Sequence, residues 1–135
     1  MLKFKFYKVI IPLVLLLLLG YFSYTYFLKE YFLNNKTQTI KVDSRIGFDI
    51  LELKKIPGQT DIYSIEMEIT GQSKKPVTLV MGSSIQNMNQ QIRIKGGKVD
   101  FQYSGDWYDN SCFILVKFEE GESAKLAIDY RFIGQ

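Results

Sequence analysis

The feature that most constrains this chain is a run of uncharged, mostly apolar residues close to its N-terminus, residues 9–28. Leu, Ile, Val and aromatic side chains dominate the run, and it contains no Asp, Glu, Lys or Arg. As a helix rising about 1.5 Å per residue it would extend about 30 Å, the thickness of the hydrocarbon core of a bilayer. The sequence therefore predicts that residues 9–28 form a transmembrane anchor, with the lipid bilayer as their partner.

A cleaved signal peptide is the competing interpretation, because it also begins with lysines and continues into an apolar core. This run is longer than the usual apolar core of about 7–15 residues, and no Ala-x-Ala-like cleavage site follows it. The nearest small residues, Ser23 and Thr25, stand among tyrosines. We therefore expect the segment to be retained as a signal anchor.

The lysines around the anchor predict its orientation. Lys3, Lys5 and Lys8 precede it, and only Lys29 follows it closely. The positive-inside rule then makes residues 1–8 a cytoplasmic basic tail. We expect a single-pass protein of the inner or plasma membrane whose C-terminal domain is extracytoplasmic.

The net charge of +3 also belongs to this region. The chain has 17 basic and 14 acidic residues; four of the basic and one of the acidic residues precede Lys36, which leaves 13 of each from there onward. A neutral domain does not have the basic surface typical of nucleic-acid binding. Nucleic acid is therefore not an expected partner.

The remaining chain divides into a short polar segment and one domain. Residues 29–43 are mostly polar and predict a juxtamembrane stalk. Residues 44–135 are enough for one small domain with a single core. We expect this domain to lie outside the cytoplasm.

Apolar residues in the domain alternate with polar ones, a period of two that indicates strands with one wet face. The clearest example is residues 62–69, where Tyr63, Ile65, Met67 and Ile69 share one face. Residues 112–118 are nearly all apolar, which predicts a central strand covered on both faces. The other runs of this kind are residues 46–50, 77–81, 92–94, 99–103 and 126–132.

Glycine-rich and polar turns separate these runs. Gly96 and Gly97 predict a two-residue hairpin turn, and the amide-rich residues 83–91 predict a long connection. About seven strands at this spacing predict an all-β domain, a small immunoglobulin- or fibronectin-like β-sandwich. The alternative fold is a small barrel.

The sequence has few residues suited to catalysis. There is no histidine, and Cys112 is the only cysteine, so neither an intrachain disulfide nor a Cys/His zinc site is expected. Cys112 is predicted to be buried and inert, the alternative being an exposed thiol that pairs with a second chain. We predict that the protein is not an enzyme and that it has no catalytic residues, no metal and no cofactor.

One stretch of the domain suggests a binding surface, because it combines the only tryptophan with a tyrosine, two acids and an amide in a predicted loop. Aromatic rings beside polar groups are common at interfaces, since they give large contact area at little cost in entropy. The alternative is that the indole fills the end of the core. The predicted partner-binding residues are Asp106, Trp107, Tyr108, Asp109 and Asn110.

An anchor followed by a compact domain without catalytic residues predicts a protein-binding module. It would capture a protein partner in the periplasm or at the cell surface, as an inhibitor, an immunity-like protein or an accessory subunit of an envelope complex. Two alternatives remain open at this point: a structural scaffold subunit of a membrane assembly, and a small-ligand receptor domain.

Overall fold

The computed structural model describes residues 2–44, 48–119 and 124–135. Two parts of the predicted domain fall outside this range: the beginning of the run at residues 46–50, and residues 120–123, which separate the runs at 112–118 and 126–132. All structural statements below refer to the described residues.

A helix occupies the N-terminal part of the chain in three consecutive segments: α1 (Leu2–Ser23), a π-helical turn (Tyr24–Leu28) and α2 (Lys29–Asn35). Its apolar side chains are exposed, so they are not covered by the rest of the chain. By length and composition the helix can cross a membrane. It extends beyond the predicted residues 9–28 at both ends.

Two antiparallel four-stranded sheets pack face to face beyond the helix. Sheet A has the order β1-β8-β3-β6, and sheet B has the order β2-β7-β4-β5. The strands are β1 (Gln38–Ser44), β2 (Phe48–Lys54), β3 (Ser64–Ser73), β4 (Val77–Ser84), β5 (Asn87–Ile94), β6 (Gly97–Asp106), β7 (Ser111–Phe118) and β8 (Ala124–Ile133). The all-β sandwich expected from the sequence is therefore confirmed.

The core lies between the two sheets, because each strand turns every second side chain inward. In β3 these residues are Ile65, Met67 and Ile69, and in β7 they include Ile114 and Val116; all are 3% exposed or less. The alternation read from the sequence therefore identifies the inner face of β3 correctly. In β2 it is wrong, because Phe48 and Ile50 of the predicted apolar face point outward, whereas Leu51 and Leu53 face the core.

The immunoglobulin-like strand order is not confirmed. In an immunoglobulin sandwich the first two strands pair with each other. Here β1 pairs with β8, and the chain crosses to the opposite sheet after every described strand except β4. Eight strands wound in this way form a jelly roll. Two separate sheets also argue against the small barrel.

Two predictions about connections are wrong. Gly96 and Gly97 do not form a hairpin turn, because β5 and β6 belong to different sheets and the chain crosses between them at this point. The amide-rich residues 83–91 are not a long connection: they contain the β4–β5 hairpin, in which Ser84 pairs with Asn87. Turn composition alone does not show which sheet the next strand joins.

The predicted stalk is also regular structure. Residues 29–35 continue the helix, and β1 begins at Gln38 within the same segment. The sequence of β1 has only two apolar residues, Ile40 and Val42, which is too short a pattern to stand out from a polar linker. The sandwich therefore begins about six residues earlier than the predicted boundary at residue 44.

The end of α2 is hydrogen-bonded to the sandwich. The Asn34 side chain donates to the carbonyl of Gly134 (2.6 Å) and accepts from its N–H (3.0 Å). The buried Gln59 side chain donates to the Asn34 Oδ1 (2.9 Å) and to the Phe132 carbonyl (2.6 Å), and accepts from the Ile56 N–H (2.9 Å). Helix, β2–β3 loop and C-terminus are thereby joined at one end of the sandwich.

Candidate functional site

The predicted partner-binding residues 106–110 connect β6 with β7 at the end of the sandwich where the helix arrives. The Trp107 N–H donates to the Tyr63 carbonyl (3.0 Å), and the Asn110 carbonyl accepts from the Lys55 N–H (3.1 Å). These bonds join the connection to the β2–β3 loop, whose Gln59 contacts the helix. The sequence placed these residues in a loop but gave no indication that the loop is joined to the helix through the β2–β3 loop.

The two aromatic rings of this loop point to different environments. Trp107 is 7% exposed, packs with the core, and donates its indole N–H to the Ser111 carbonyl (3.0 Å). It therefore fills the end of the core, which is the alternative that the sequence left open. Tyr108 is 75% exposed, and is the only ring of the loop available to a partner.

The polar residues of the loop do not converge on a ligand site. Asp106, Asp109 and Asn110 are exposed, and Asp106 pairs with Ser64 in the sheet. Across the described ranges, no group of three or more Asp, Glu, Cys or His residues is arranged to hold a metal ion. The loop offers a single exposed tyrosine with polar neighbours.

Cys112 follows the loop and lies on the inner face of β7, where it is fully buried. Burial raises the pKa of its thiol from 9.0 to about 12, because the charged thiolate is poorly solvated in the core. The thiol is therefore protonated at neutral pH and inaccessible to reagents, which excludes it as a nucleophile. The prediction that Cys112 is buried is confirmed.

The outer face of sheet A is polar and concave. A groove of about 510 Å³ runs over its centre. Its lining includes Glu66, Glu68, Gln102, Ser104, Asp129 and Arg131. Ligand pockets of this size are usually lined mainly by apolar side chains. This groove has a different lining and is consistent with a hydrated surface.

Some polar groups on this face are bonded to one another, and one ion pair, between Arg131 and Glu66, lies there. The Arg131 guanidinium donates to the Glu66 carboxylate from Nε (2.6 Å) and forms an ion pair with it through Nη2 (2.5 Å). The Thr39 hydroxyl donates to Asp129 (2.5 Å), which stands opposite Glu68 in the ladder. Polar groups on sheet A thus bond to their neighbours within the sheet.

The outer face of sheet B is apolar along its middle. Ile50 on β2, Leu115 on β7 and Val80 on β4 are paired across the three strands and point to the same side, because directly opposed residues share a face. Phe48 and Phe113 flank this row. Ile50 and Phe48 are exposed by 43% and 58%, whereas Val80, Phe113 and Leu115 are half-buried. We call these five residues the apolar outer face.

Mostly basic residues border the apolar outer face. Lys117 pairs with Phe48, and Arg93 extends the same row across β4. Lys54 lies at the end of β2, where its ion pair with Glu52 is exposed (3.5 Å). With three cationic groups and one anionic group, the border is positive.

Sequence reasoning missed this surface for an identifiable reason. The continuous apolar run at residues 112–118 predicted a strand covered on both faces, but only its inner face is covered, by sheet A. This run was nevertheless the one sign of the apolar outer face in the sequence, because it places apolar residues on both sides of β7. Whether the second side is covered depends on elements distant in the chain.

Comparisons with known proteins identify no family. No protein-family model matches the chain, and no curated protein matches it either. Solved structures with a similar outline include the pre-peptidase C-terminal domain of a collagenase from Bacillus anthracis, at 14% identity and a TM-score of 0.48, covering 70% of this chain and 89% of that one. Others are a Yersinia pseudotuberculosis-derived mitogen (18%, TM-score 0.42, covering 71% and 83%) and a mutant of a family 29 carbohydrate-binding module (12%, TM-score 0.35, covering 73% and 87%). Similarity at this level carries no information on ligand or activity.

Proposed function

We propose that this protein is a membrane-anchored, extracytoplasmic and non-catalytic protein-binding module that binds its partner through the apolar outer face of sheet B. The observation that carries the proposal is the row Ile50–Leu115–Val80, which is exposed or half-buried and has no covering element among the described residues. The equivalent face of sheet A carries paired polar groups. Of the two outer faces, that of sheet B is therefore the one whose apolar side chains would gain from being removed from water when a partner binds.

The position of the row at a sheet edge supports this function. β2 is an edge strand, and natural proteins usually protect such edges with charges, prolines or a covering segment. Here the edge strand carries Phe48 and Ile50 on its exposed side. A contiguous apolar patch next to an open edge is typical of an interaction site.

The chemistry of the border indicates the kind of partner. An apolar centre with a polar rim is the usual organisation of a protein–protein interface. Because Lys54, Lys117 and Arg93 make this rim positive, we infer a partner protein with an apolar patch bordered by Asp or Glu. Complementary charge favours the encounter and suppresses wrong partners.

The anchor supplies the location. The helix that can cross a membrane leads directly into the sandwich, and the lysines at its N-terminal side favour, by the positive-inside rule, a sandwich outside the cytoplasm. The partner is then another envelope or cell-surface protein. The loop at residues 106–110 is not the proposed centre of the interface, since Trp107 is part of the core.

Site-specific crosslinking of the full-length protein in its native membrane tests this proposal. A photo-crosslinking amino acid at Leu115 on sheet B is compared with the same residue at Thr70 on sheet A. We expect a discrete crosslinked protein from position 115 and none from position 70. That protein, identified and purified, should bind the full-length chain.

The affinity of this purified pair gives the decisive measurement. Leu115→Lys should weaken binding about 30-fold or more, as loss of an interface hot spot does, while Thr70→Lys leaves the affinity unchanged. Equal crosslinking or equal weakening at both positions would contradict the proposal. A crosslinked product of twice the chain mass, or crosslinks to lipid alone, would also overturn it.

A further inference from the structure

One end of the sandwich gathers the loops nearest to the helix. It consists of the β2–β3 loop (residues 55–63), the β4–β5 turn (85–86), the β6–β7 connection (107–110) and the C-terminal residues 134–135. Strand register places them together, because Ser64 pairs with both Asp106 and Ile133, and Gly82 pairs with Phe113 close to the start of β7. We call this region the anchor-proximal end.

Exposed apolar side chains are concentrated at this end. In the described part of the sandwich, five large apolar residues are exposed: Phe48, Ile50, Tyr63, Ile85 and Tyr108. The first two belong to the apolar outer face. The other three lie in the loops of the anchor-proximal end, with exposures of 45%, 59% and 75%. Among the described residues of the opposite end, one large apolar side chain is exposed: Phe48, which begins β2 there and belongs to the apolar outer face.

The hydrogen bonds around Asn34 hold this end against the helix. Asn34 binds both backbone groups of Gly134, so its amide is fixed by two opposed bonds rather than one. A side chain at position 134 would collide with the Thr60 carbonyl, so the close approach depends on glycine. Leu33 also packs beside Gly58 of the β2–β3 loop. The sandwich is therefore docked on the helix and not suspended from a flexible linker.

The short distance between the anchor and the sandwich decides what this end faces. Beyond residue 28 the helix continues only through α2, whose 7 residues correspond to about 10 Å. The headgroup layer on each side of a bilayer is about 5–8 Å thick. The end of α2 therefore lies just beyond that layer, and a loop that reaches back along α2 enters it: Gly58 of the β2–β3 loop lies beside the side chain of Lys29, at the start of α2.

We propose that the anchor-proximal end is a membrane-contact surface, with Tyr108, Tyr63 and Ile85 inserted among the lipid headgroups of the leaflet from which the helix emerges. This inference rests on the anchor in the proposed function and adds a second lipid contact to it. Tyrosine suits this position because its ring is apolar and its hydroxyl is hydrated, which is why Tyr is enriched at membrane interfaces.

Charge at this end neither drives nor prevents the contact. Lys29 and Lys55 are there, Lys55 donating to the Gln59 carbonyl (2.6 Å), and Glu30, Asp61, Asp106 and Asp109 are there as well. With Lys36 and Lys54, which also lie at this end, the set has four basic and four acidic side chains, so attraction to anionic lipid is not the source of binding. The contact is expected in a zwitterionic bilayer.

Spin labels on the full-length protein in phosphatidylcholine nanodiscs test this inference. Single cysteines are introduced by Tyr108→Cys at the anchor-proximal end, Lys74→Cys at the opposite end and Leu17→Cys in the helix. The unmodified chain, whose cysteine is the buried Cys112, is the control that shows how much label attaches to that residue. We expect the label at 108 to be at least about twofold less accessible to a water-soluble nickel relaxant than the label at 74, because the interface excludes the reagent.

The helix label separates this inference from the proposed function. Equal nickel accessibility at 108 and 74, with a label at 17 that is shielded by the bilayer, would overturn the membrane contact and leave the anchor intact. A label at 17 that is accessible from water would overturn the anchor itself. Tyr108 is 75% exposed, so its replacement is not expected to prevent folding. If nickel accessibility at 108 fell only after anionic lipid was added to the nanodiscs, the contact would depend on charge, which would contradict a contact made by apolar side chains in a zwitterionic bilayer.

Discussion

The two sheets of the sandwich have similar inner faces and different outer faces. On the inside, both contribute tightly packed aliphatic and aromatic residues with little exposure. On the outside, sheet A presents Glu66, Arg131 and Asp129 in local pairs, whereas sheet B presents the row Ile50–Leu115–Val80. Most of the stability is expected from burial of the inner faces. The difference between the outer faces is what the proposed interaction with a partner would explain.

The largest expected effect concerns two adjacent residues on β7 that point to opposite sides. Ile114 is fully buried, so Ile114→Ala should lower the free energy of unfolding by about 2–5 kcal/mol, from lost burial and the cavity left behind. Leu115→Ala, on the apolar outer face, should cost about 1 kcal/mol or less. Urea unfolding of the full chain in mild detergent, followed by Trp107 emission, measures both. Equal losses would show that the outer side of β7 is also packed.

A smaller effect on stability is expected at high pH, from the raised pKa values of one cysteine and two tyrosines. Burial raises the pKa of Cys112 on sheet B to about 12, and burial likewise raises the pKa of Tyr103 and Tyr130 on sheet A. Between pH 9 and 12 the folded chain keeps the Cys112 proton that the unfolded chain has lost, so stability is complete below pH 9 and falls as the pH rises. We expect a loss of about 1 kcal/mol between pH 8 and 10.

The same unfolding measurement on Cys112→Ala checks the assignment. This variant has no thiol to titrate, so its free energy of unfolding should change less between pH 8 and 10, whatever its absolute value. The remaining decrease should begin near pH 10, where the tyrosines of the unfolded chain ionise. An unchanged slope would show that Cys112 is not the group responsible.

The smallest expected effect concerns the ion pairs of the polar surface. Arg131→Met removes the contacts of the guanidinium with Glu66 on sheet A and with Asn35 at the end of α2, and should cost about 0.5–1 kcal/mol at low salt. Lys75→Met removes a longer and more exposed pair with Glu119 (3.9 Å) and should cost almost nothing. Thermal unfolding at low and high salt distinguishes them. A loss for Arg131→Met that persists at high salt would indicate packing of the side chain instead of charge.

The parts of the fold that were predicted from the sequence depend on neighbours along the chain. Alternation and apolar runs identified the strands that became β2 to β8, and the position of Cys112 within an apolar run predicted its burial. The inner face was wrong in β2, where Phe48 and Ile50 point outward and Leu53 is buried. Strand β1 was missed because Ile40 and Val42 are its only apolar residues. Its place in sheet A comes from pairing with β8, about 90 residues later in the sequence.

The candidate site could be predicted only in part. Trp107 and Tyr108 were identified as an unusual pair in a loop, but a sequence cannot state which ring enters the core: the Ser111 carbonyl accepts the indole N–H and thereby selects Trp107. The apolar outer face was hidden within a run that also supplies core residues. Residues of β2, β7 and β4 form one surface only after the sheet has assembled.

Length, apolarity and charge along the chain are sufficient to predict a helix that can cross a membrane, its expected orientation, seven of the eight strands in the described residues, and the lack of histidine or paired cysteines. These properties depend on side chains and their immediate neighbours, which the sequence states directly. The jelly-roll order, the docking of Asn34 on Gly134 and the contrast between the two outer faces depend on contacts between residues far apart in the chain. Such contacts are selected by the packing of whole sheets, because a strand with the same alternation fits either sheet until its partners are in place.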